Sequence, residues 1–242
     1  MKSKLKDGKT TLGVTVTIGS PEVPYALGDL GLDWINLDTQ HSVLDGRVVA
    51  EMIQALGHSE TVPIVRVLSN DLGLINKALD MGAQAVIVPL VNTRLDAEKA
   101  VQSAKYKPPG GRSFGSRVWL RDSEYVETAD DEIMIIPQIE TALALQNVEE
   151  IVTTDGIEAV FCGPFDLSMS LGVFRQFENP AFQRAVELLV SACEAHDVAP
   201  GLLAPTGPVE RSIQQRFKLI SLGGDISFLT QGIRNVLKTA RQ

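Results

Sequence analysis

The sequence is poor in the residues that build disulfide frameworks and clustered metal sites. Only two cysteines and three histidines occur among its 242 residues. Cys162 lies in an apolar run and Cys193 in a helical pattern, so we expect both to be buried, reduced thiols. This cysteine usage argues against a disulfide-stabilised secreted scaffold and favours a cytoplasmic location.

Long apolar runs and an excess of positive charge are also missing. No stretch approaches the roughly 18 apolar residues that a membrane-spanning helix needs, and no signal-peptide segment follows the charged N-terminal residues. The formal net charge of −8 argues against a general nucleic-acid-binding protein, because such proteins concentrate positive charge on phosphate. We therefore expect neither membrane nor nucleic-acid partners.

The glycine motifs that bind nucleotides are absent as well. The sequence contains neither a GxxxxGK[ST] segment nor a GxGxxG fingerprint. A glycine-rich, basic segment, PPGGRSFGSR, does occur over residues 108–117 and includes Arg112 and Arg117. We interpret it either as a loop over a site or as a contact with a neighbouring subunit.

Eight short apolar runs recur along the chain, and most are rich in valine and isoleucine without clean alternation. They span residues 12–18, 33–39, 62–67, 85–91, 133–140, 159–164, 199–204 and 218–224. Such runs are typical of parallel strands covered on both faces. Amphipathic stretches lie between them, including 45–57, 73–82, 94–106, 142–154 and 180–197. The alternation predicts a single α/β domain over residues 1–242, a (β/α)8 TIM barrel, with a doubly wound open sheet as the alternative.

A barrel places its chemistry at the carboxyl ends of the strands. Residues suited to binding or catalysis stand at or near the ends of four of the predicted strands: Asp38, Gln40 and His41; Arg66; Gln138 and Glu140; Gly163, Pro164 and Asp166. Two carboxylates at one rim repel each other unless a cation lies between them or one takes up a proton. Glu140 and Asp166 are therefore candidate ligands for Mg2+ or Mn2+, although each could instead cap the helix that follows it.

Arg66 and His41 are the other candidates for chemistry. A guanidinium within the apolar run VPIVRV needs a polar partner, which is either a ligand carboxylate or enolate oxygen or a structural ion pair inside the barrel. His41 could bind metal, transfer protons or be a hydrogen-bonded turn residue. No lysine lies at a strand end, which argues against Schiff-base catalysis.

Six motifs occur in an order and spacing that resemble one known family. They are DWINLDTQHS (33–42), VPIVRV (62–67), ALDMGAQAVIVPLVNT (78–93), YKPPGGRSFG (106–115), PQIET (137–141) and FCGPFDLS (161–168). From about residue 8 to about residue 230 the chain is similar to the HpcH/HpaI family. These are metal-dependent class II pyruvate aldolases of the phosphoenolpyruvate/pyruvate barrel superfamily.

The resemblance implies an assembly and a cofactor. The barrel's last helix would be exchanged between subunits of a hexamer, a trimer of dimers. A divalent metal, Mg2+ or Mn2+ with Co2+ or Zn2+ as alternatives, would be held by Glu140 and Asp166. Pyruvate would chelate that metal, and Gly163, Phe165 and Asp166 would contribute to substrate binding, the last two through their backbone N–H groups.

The resemblance also implies roles for individual side chains. Arg66 matches the arginine that binds the keto oxygen and stabilises the enolate. His41 matches the histidine, paired with Asp80, that transfers a proton at the aldol oxygen. Gln138 matches a residue near the metal-bound water, and Leu203 a residue that lines the aldehyde side.

Two residues depart from the family pattern. Gln40 stands where many members have a glutamate. A carboxylate that could support the groups around the metal ligands is therefore absent. Phe165 replaces a smaller residue, which narrows the expected pocket beside the metal.

The reaction expected from this set is the reversible cleavage of a 4-hydroxy-2-keto acid to pyruvate and an aldehyde. A metal and an arginine would neutralise the charge of the enolate as it develops. Alternatives are oxaloacetate decarboxylation or cleavage of a CoA thioester, the latter with only Arg112, Arg117 and Arg121 as candidate phosphate contacts. A non-catalytic barrel that binds a keto acid is a further alternative.

Overall fold

Eight parallel strands close into a barrel in the computed structural model, which describes residues 1–115, 118, 120 and 122–241. The strands follow chain order around the barrel, and the eighth pairs with the first. They are β1 (Thr11–Val16), β2 (Trp34–Asp38), β3 (Val62–Arg66), β4 (Ala85–Val88), β5 (Met134–Ile139), β6 (Ala159–Cys162), β7 (Ala199–Leu202) and β8 (Leu219–Gly224). The predicted (β/α)8 barrel is confirmed. Arg117 and Arg121 lie outside the described residues.

Twelve helices are described around and below this barrel. They are α1 (Lys2–Lys6), α2 (Glu22–Gly28), α3 (Gly46–Ala55), α4 (Leu72–Met81), α5 (Arg94–Ala104), α6 (Tyr125–Glu132), α7 (Ala142–Gln146), α8 (Val148–Val152), α9 (Pro164–Ser170), α10 (Pro180–Ala195), α11 (Val209–Gln214) and α12 (Asp225–Ala240). None of the described helices combines the length and apolar character that a bilayer crossing requires.

Local side-chain chemistry sets where the longer helices begin and end. Asp45 caps α3 by accepting from the Val48 N–H at 2.9 Å, and Thr93 forms a capping box with Asp96 at the start of α5. Helix α4 ends at Gly82, whose φ of 109° belongs to the left-handed region that glycine adopts without strain. These caps fix the loops that carry the strand ends.

The helical pattern over residues 142–154 predicts one helix, and the structure has two short ones instead. The chain leaves the helical path at Asn147, where α7 stops and α8 starts. The Asn147 side chain donates through Nδ2 to the carbonyl of Asn92, 2.8 Å away. An asparagine that binds backbone elsewhere competes with helix continuation, which accounts for the break.

The barrel lumen has an apolar floor. Side chains on alternate strand residues point to the same face, and the cluster that includes Trp34, Ile64, Ile136 and Phe161 is fully buried. Leu5 of α1 joins this cluster, so α1 closes the lumen at the amino ends of the strands. The larger apolar core lies between the outer faces of the strands and the helices.

Above that floor, the same alternate positions become polar. Strand β2 continues from Trp34 to Asn36 and Asp38, and β3 continues from Ile64 to Arg66. Asn36 and Asp38 are both buried. The period-two pattern therefore delivers charged groups to the carboxyl end of the barrel and nowhere lower in these two strands.

The floor requires glycine beside its largest side chain. A Cβ at Gly13 would lie 2.1 Å from Cδ2 of Trp34 and 2.4 Å from the carbonyl oxygen of Trp34. Real contacts never come so close, and Trp34 is fully buried with an edge-on Phe161 ring 5.7 Å away between centroids. The absence of a side chain at Gly13 is what lets β1 pass the indole.

We expect Gly13→Ala to lower the free energy of unfolding by about 3 kcal/mol, because neither the indole nor the β2 backbone can move without disrupting the floor. Urea denaturation followed by circular dichroism would measure the change. Gly46→Ala is the matched control, since its Cβ would meet only flexible side chains at 3.5 Å or more. Equal stability of the two variants would contradict this account of the floor.

Candidate functional site

One cavity of about 660 Å3 opens at the carboxyl ends of the strands. Eight of the residues named from the sequence line it: His41, Arg66, Gln138, Gly163, Pro164, Phe165, Asp166 and Leu203. Their backbones belong to five different strands or the loops that follow them. The barrel geometry thus brings together residues separated by up to 162 positions in the chain.

Arg66 is held by a buried carboxylate. Its Nε donates to Oδ1 of Asp38 at 2.8 Å and its Nη2 to Oδ2 at 2.5 Å. The two residues are register partners on β2 and β3, and the side chain of Asp38 is 3% exposed and that of Arg66 is 11% exposed. This bidentate pair fixes the plane of the guanidinium and leaves Nη1 outside the pair, on a residue that lines the cavity.

Asp38 also organises the loop after β2. Its Oδ1 accepts from the backbone N–H of Gln40 at 3.0 Å and of His41 at 3.4 Å. Asp38 received no role from the sequence, although it stands at a strand end. The linear sequence does not show that Asp38 pairs with Arg66. The pairing becomes visible only when β2 and β3 are aligned in the sheet, where the two residues are register partners.

Glu140 is buried just beyond the end of β5. Its Oε1 accepts from the backbone N–H of Leu90 at 2.8 Å, and its Oε2 accepts from Nε2 of Gln138. Burial raises the pKa of Glu140 to about 7, with a further rise from the nearby Asp166 carboxylate, against lowering by the Leu90 N–H and by Arg66. The carboxylate is therefore costly to charge unless a cation joins it.

Gly163 makes room for this arrangement at the end of β6. A Cβ there would lie 2.7 Å from Nε2 of Gln138 and 2.8 Å from Oε2 of Glu140. The glycine thus allows the carboxylate and amide to occupy the space between β5 and β6. Asp166 follows in the first turn of α9, exposed to the cavity, and its side chain caps no helix.

The oxygen atoms at this position fit a divalent cation. Glu140 and Asp166 contribute carboxylates, and Oε1 of Gln138 is a buried oxygen for which the described residues supply no hydrogen-bond partner. Hard cations such as Mg2+ and Mn2+ prefer oxygen ligands. No group of three or more His, Cys, Asp or Glu side chains suited to a metal occurs within the described part of the chain. A cation here would have two protein carboxylates and would need water or ligand oxygens as well.

His41 and Asp80 do not meet within the described chain. His41 is exposed on the cavity wall, whereas Asp80, on α4, accepts from Nη2 of Arg112 at 3.1 Å. Asp80 is absent from the described lining of the cavity. The expected pairing of these two residues is therefore not seen in a single subunit.

Arg112 was expected as a phosphate contact at the cavity rim, and the structure corrects this expectation. Its side chain is fully buried and lies 4.5 Å from the centroid of the Tyr106 ring and 5.5 Å from that of Tyr125. Two tyrosines and Asp80 thus hold it inside the protein, where it cannot contact a CoA phosphate at the cavity rim. The buried guanidinium of Arg112 thus anchors the glycine-rich loop.

Part of the cavity lining is apolar, and some of it comes from α12. Leu203 and Leu222, together with Phe165 and Phe228, are the large apolar residues of the lining. The Phe165 ring packs edge-on against Phe177, with centroids 5.5 Å apart. Ser227, Phe228 and Gln231 of α12 were not predicted as site residues, because the sequence pattern alone does not show that the helix after the last strand reaches the cavity.

Comparisons with known proteins agree with this geometry. The HpcH/HpaI aldolase/citrate lyase family model matches residues 18–231. The chain is 31% identical to a hydroxypyruvate/pyruvate aldolase of Roseobacter denitrificans, covering 94% of this chain and 91% of that protein. It is 31% identical to a 4-hydroxy-2-oxo-heptane-1,7-dioate aldolase of Salmonella paratyphi C, covering 96% and 90%. A crystal structure of a family protein from Burkholderia cenocepacia superimposes with a TM-score of 0.95 at 29% identity, over 100% of this chain and 98% of that one.

We expect Asp38→Asn to lower the free energy of unfolding by about 3 kcal/mol, because it leaves the buried Arg66 charge without its counter-charge. Chemical denaturation would measure the loss. The control is Glu51→Gln, which removes a charge from the exposed Arg47–Glu51 pair and should leave stability unchanged. An Asp38→Asn variant as stable as the unmodified protein would show that the pair does not support the fold.

Proposed function

This chain belongs to the HpcH/HpaI aldolase/citrate lyase family and is an aldolase; on that premise we propose that it reversibly cleaves a 4-hydroxy-2-keto acid to pyruvate, or a close analogue, and an aldehyde. The observation that carries the proposal is the convergence of Arg66 and two carboxylates, Glu140 and Asp166, at one end of the barrel. Two relatives are named for keto-acid aldolase reactions.

The proposed cofactor is a divalent metal, Mg2+ or Mn2+, with Co2+ or Zn2+ as alternatives. Glu140 and Asp166 would hold it, and Oε1 of Gln138 is free to bond a water beside it. When bound, the ion supplies positive charge to the oxygens of the keto acid. The burial that raises the pKa of Glu140 to about 7 supports this role, because a cation would relieve the cost of the buried negative charge.

The chain's own groups suit the pyruvate half of the substrate. Asp38 holds Arg66 so that Nη1 can donate to the keto oxygen as negative charge develops there. The first turn of α9 starts with Pro164, and the N–H groups of Phe165 and Asp166 have no acceptor within that helix. They can therefore donate to the carboxylate of the keto acid.

His41 is proposed as the base. Its exposed imidazole lies on the cavity wall, where it can take the proton of the C4 hydroxyl during cleavage and return it during synthesis. Asp80 remains a proposed partner of His41 on resemblance alone, since Arg112 holds it within one subunit. The aldehyde half would then lie against Leu203 and Phe165, which favours an uncharged chain at that end.

The proposed assembly is a hexamer built as a trimer of dimers that exchange α12. In a single chain this helix carries six exposed large apolar side chains, those of Ile226, Phe228, Leu229, Ile233, Val236 and Leu237. Asp225 is its only residue described as buried. An apolar face of this kind supports burial against another subunit. The two free, buried cysteines support the proposed cytoplasmic location.

We expect pyruvate release from a panel of 4-hydroxy-2-keto acids to stop with chelator and return with Mn2+ or Mg2+. Glu140→Gln should lower activity by more than about 100-fold, since loss of even a group that only supports a metal ligand costs 10- to 100-fold. A coupled lactate dehydrogenase assay would measure release, with Glu149→Gln at an exposed position as the control. Chelator-resistant release would contradict the metal, and oxaloacetate decarboxylation without aldol cleavage would contradict the aldolase.

Metal affinity should depend on pH because the metal competes with a proton for Glu140. Its pKa of about 7 in the metal-free protein means that the carboxyl is mostly protonated at pH 6 and mostly charged at pH 8. We therefore expect the affinity for Mn2+ to be about tenfold weaker at pH 6 than at pH 8. Titration calorimetry at both pH values tests this, and equal affinities would refute the assignment of that pKa.

The assembly should appear in solution as a species of about six times 26.2 kDa. Replacing Ile233 and Val236 together by lysine should produce smaller species, because charge would be placed on the exposed apolar face of α12. Light scattering after size exclusion measures the mass, and circular dichroism verifies that the variant is folded. A monomeric unmodified protein would refute the hexamer.

A further inference from the structure

Leu90 has a backbone conformation that side chains rarely adopt. Its φ is 54°, in the left-handed region, although leucine has no side-chain hydrogen bond to stabilise it there. Its side chain is exposed, so core packing does not explain the conformation. The contact that does accompany it is the N–H of Leu90, which donates to Oε1 of Glu140 at 2.8 Å.

The side-chain amide of Asn92 connects the two loops that make this contact. Its Nδ2 donates to the carbonyl oxygen of Leu90 at 2.9 Å. Its Oδ1 accepts from the hydroxyl of Thr141, the residue directly after Glu140. One amide therefore ties the residue that donates to Glu140 to the residue that follows Glu140.

Asn92 is itself fixed from two sides. Its backbone N–H donates to Oδ2 of Asp96 at 3.1 Å, and its carbonyl accepts from Nδ2 of Asn147 at 2.8 Å. The second bond comes from the residue at which α7 and α8 break apart. The break in the predicted helix and the strain at Leu90 thus belong to one hydrogen-bonded network, which joins the loop after β4 to the loop after β5.

We propose that Asn92 is a positioning residue for the metal-binding carboxylate of Glu140. It holds Leu90 in its left-handed conformation, so that the Leu90 N–H engages Oε1 of Glu140 and leaves Oε2, on the Gly163 side, for a cation. The inference rests on the metal site proposed above and adds a group outside the described cavity lining. The amide serves both contacts because its NH2 group donates to the Leu90 carbonyl while its oxygen accepts from Thr141.

The test is the affinity for Mn2+ of the intact protein without substrate, by titration calorimetry. We expect Asn92→Ala to weaken binding about tenfold or more, as loss of groups that orient metal ligands does. Asn92→Asp should also weaken it, because a carboxylate would face the Leu90 carbonyl. At saturating Mn2+ the kcat of Asn92→Ala should return to within about twofold of the unmodified protein, since the altered step is metal binding.

Asn76 provides a matched control. Its side chain is also half-buried and also makes two hydrogen bonds, donating to the carbonyl of Ser103 at 2.6 Å and accepting from the backbone N–H of Ser113 at 3.1 Å. Asn76→Ala should leave Mn2+ affinity unchanged.

The outcomes separate this inference from the proposed function. Normal Mn2+ affinity in Asn92→Ala, an equal loss in Asn76→Ala, or a kcat that stays low at saturating Mn2+ would each overturn the positioning role while leaving the metal site in place. Absence of Mn2+ binding by the unmodified protein would refute the metal site, and this inference with it.

Discussion

Compensation of buried charge is the constraint on which the upper half of this barrel depends. Glu140 and Asp38 are both buried, and a charge taken out of water must be neutralised or hydrogen-bonded. Asp38 meets that demand with Arg66 and two backbone N–H groups. Glu140 meets it only in part, with one backbone N–H and one amide, and burial accordingly raises its pKa to about 7. A cation bound beside Glu140 would supply the positive charge that its surroundings lack.

The neighbouring residues follow from that demand. Gly163 is small because the amide of Gln138 and the carboxylate of Glu140 need its space, and Leu90 is strained because its N–H is used at Glu140. Strain of this kind persists only where the surrounding structure holds it. The loops after β4, β5 and β6 are thus built around one carboxylate, whereas the floor beneath them depends on apolar packing alone.

Much of the fold could be predicted from the sequence because its signals are local. Eight valine- and isoleucine-rich runs separated by amphipathic stretches predict the barrel, and the strand ends predict which loops carry polar groups. The family could be predicted because its motifs span the chain. The pairing of Asp38 with Arg66 requires strand register, and the burial of Arg112 requires Tyr106 and Tyr125 to converge on it, so neither could be seen in a linear pattern. The break at Asn147 depends on a hydrogen bond to a distant loop, which helical periodicity cannot reveal.

Helix α1, at the amino ends of the strands, affects the order in which substrates bind and products leave. Because α1 and the Trp34 layer close that end, the cavity at the other end is the entrance that the described residues offer to both substrates and products. In the proposed function the keto acid lies deep, against Glu140 and Arg66, and the aldehyde lies above it beside His41. The aldehyde must then depart before pyruvate, and in synthesis pyruvate must enter first. The kinetic mechanism of the enzyme would be ordered because substrates and products share this entrance.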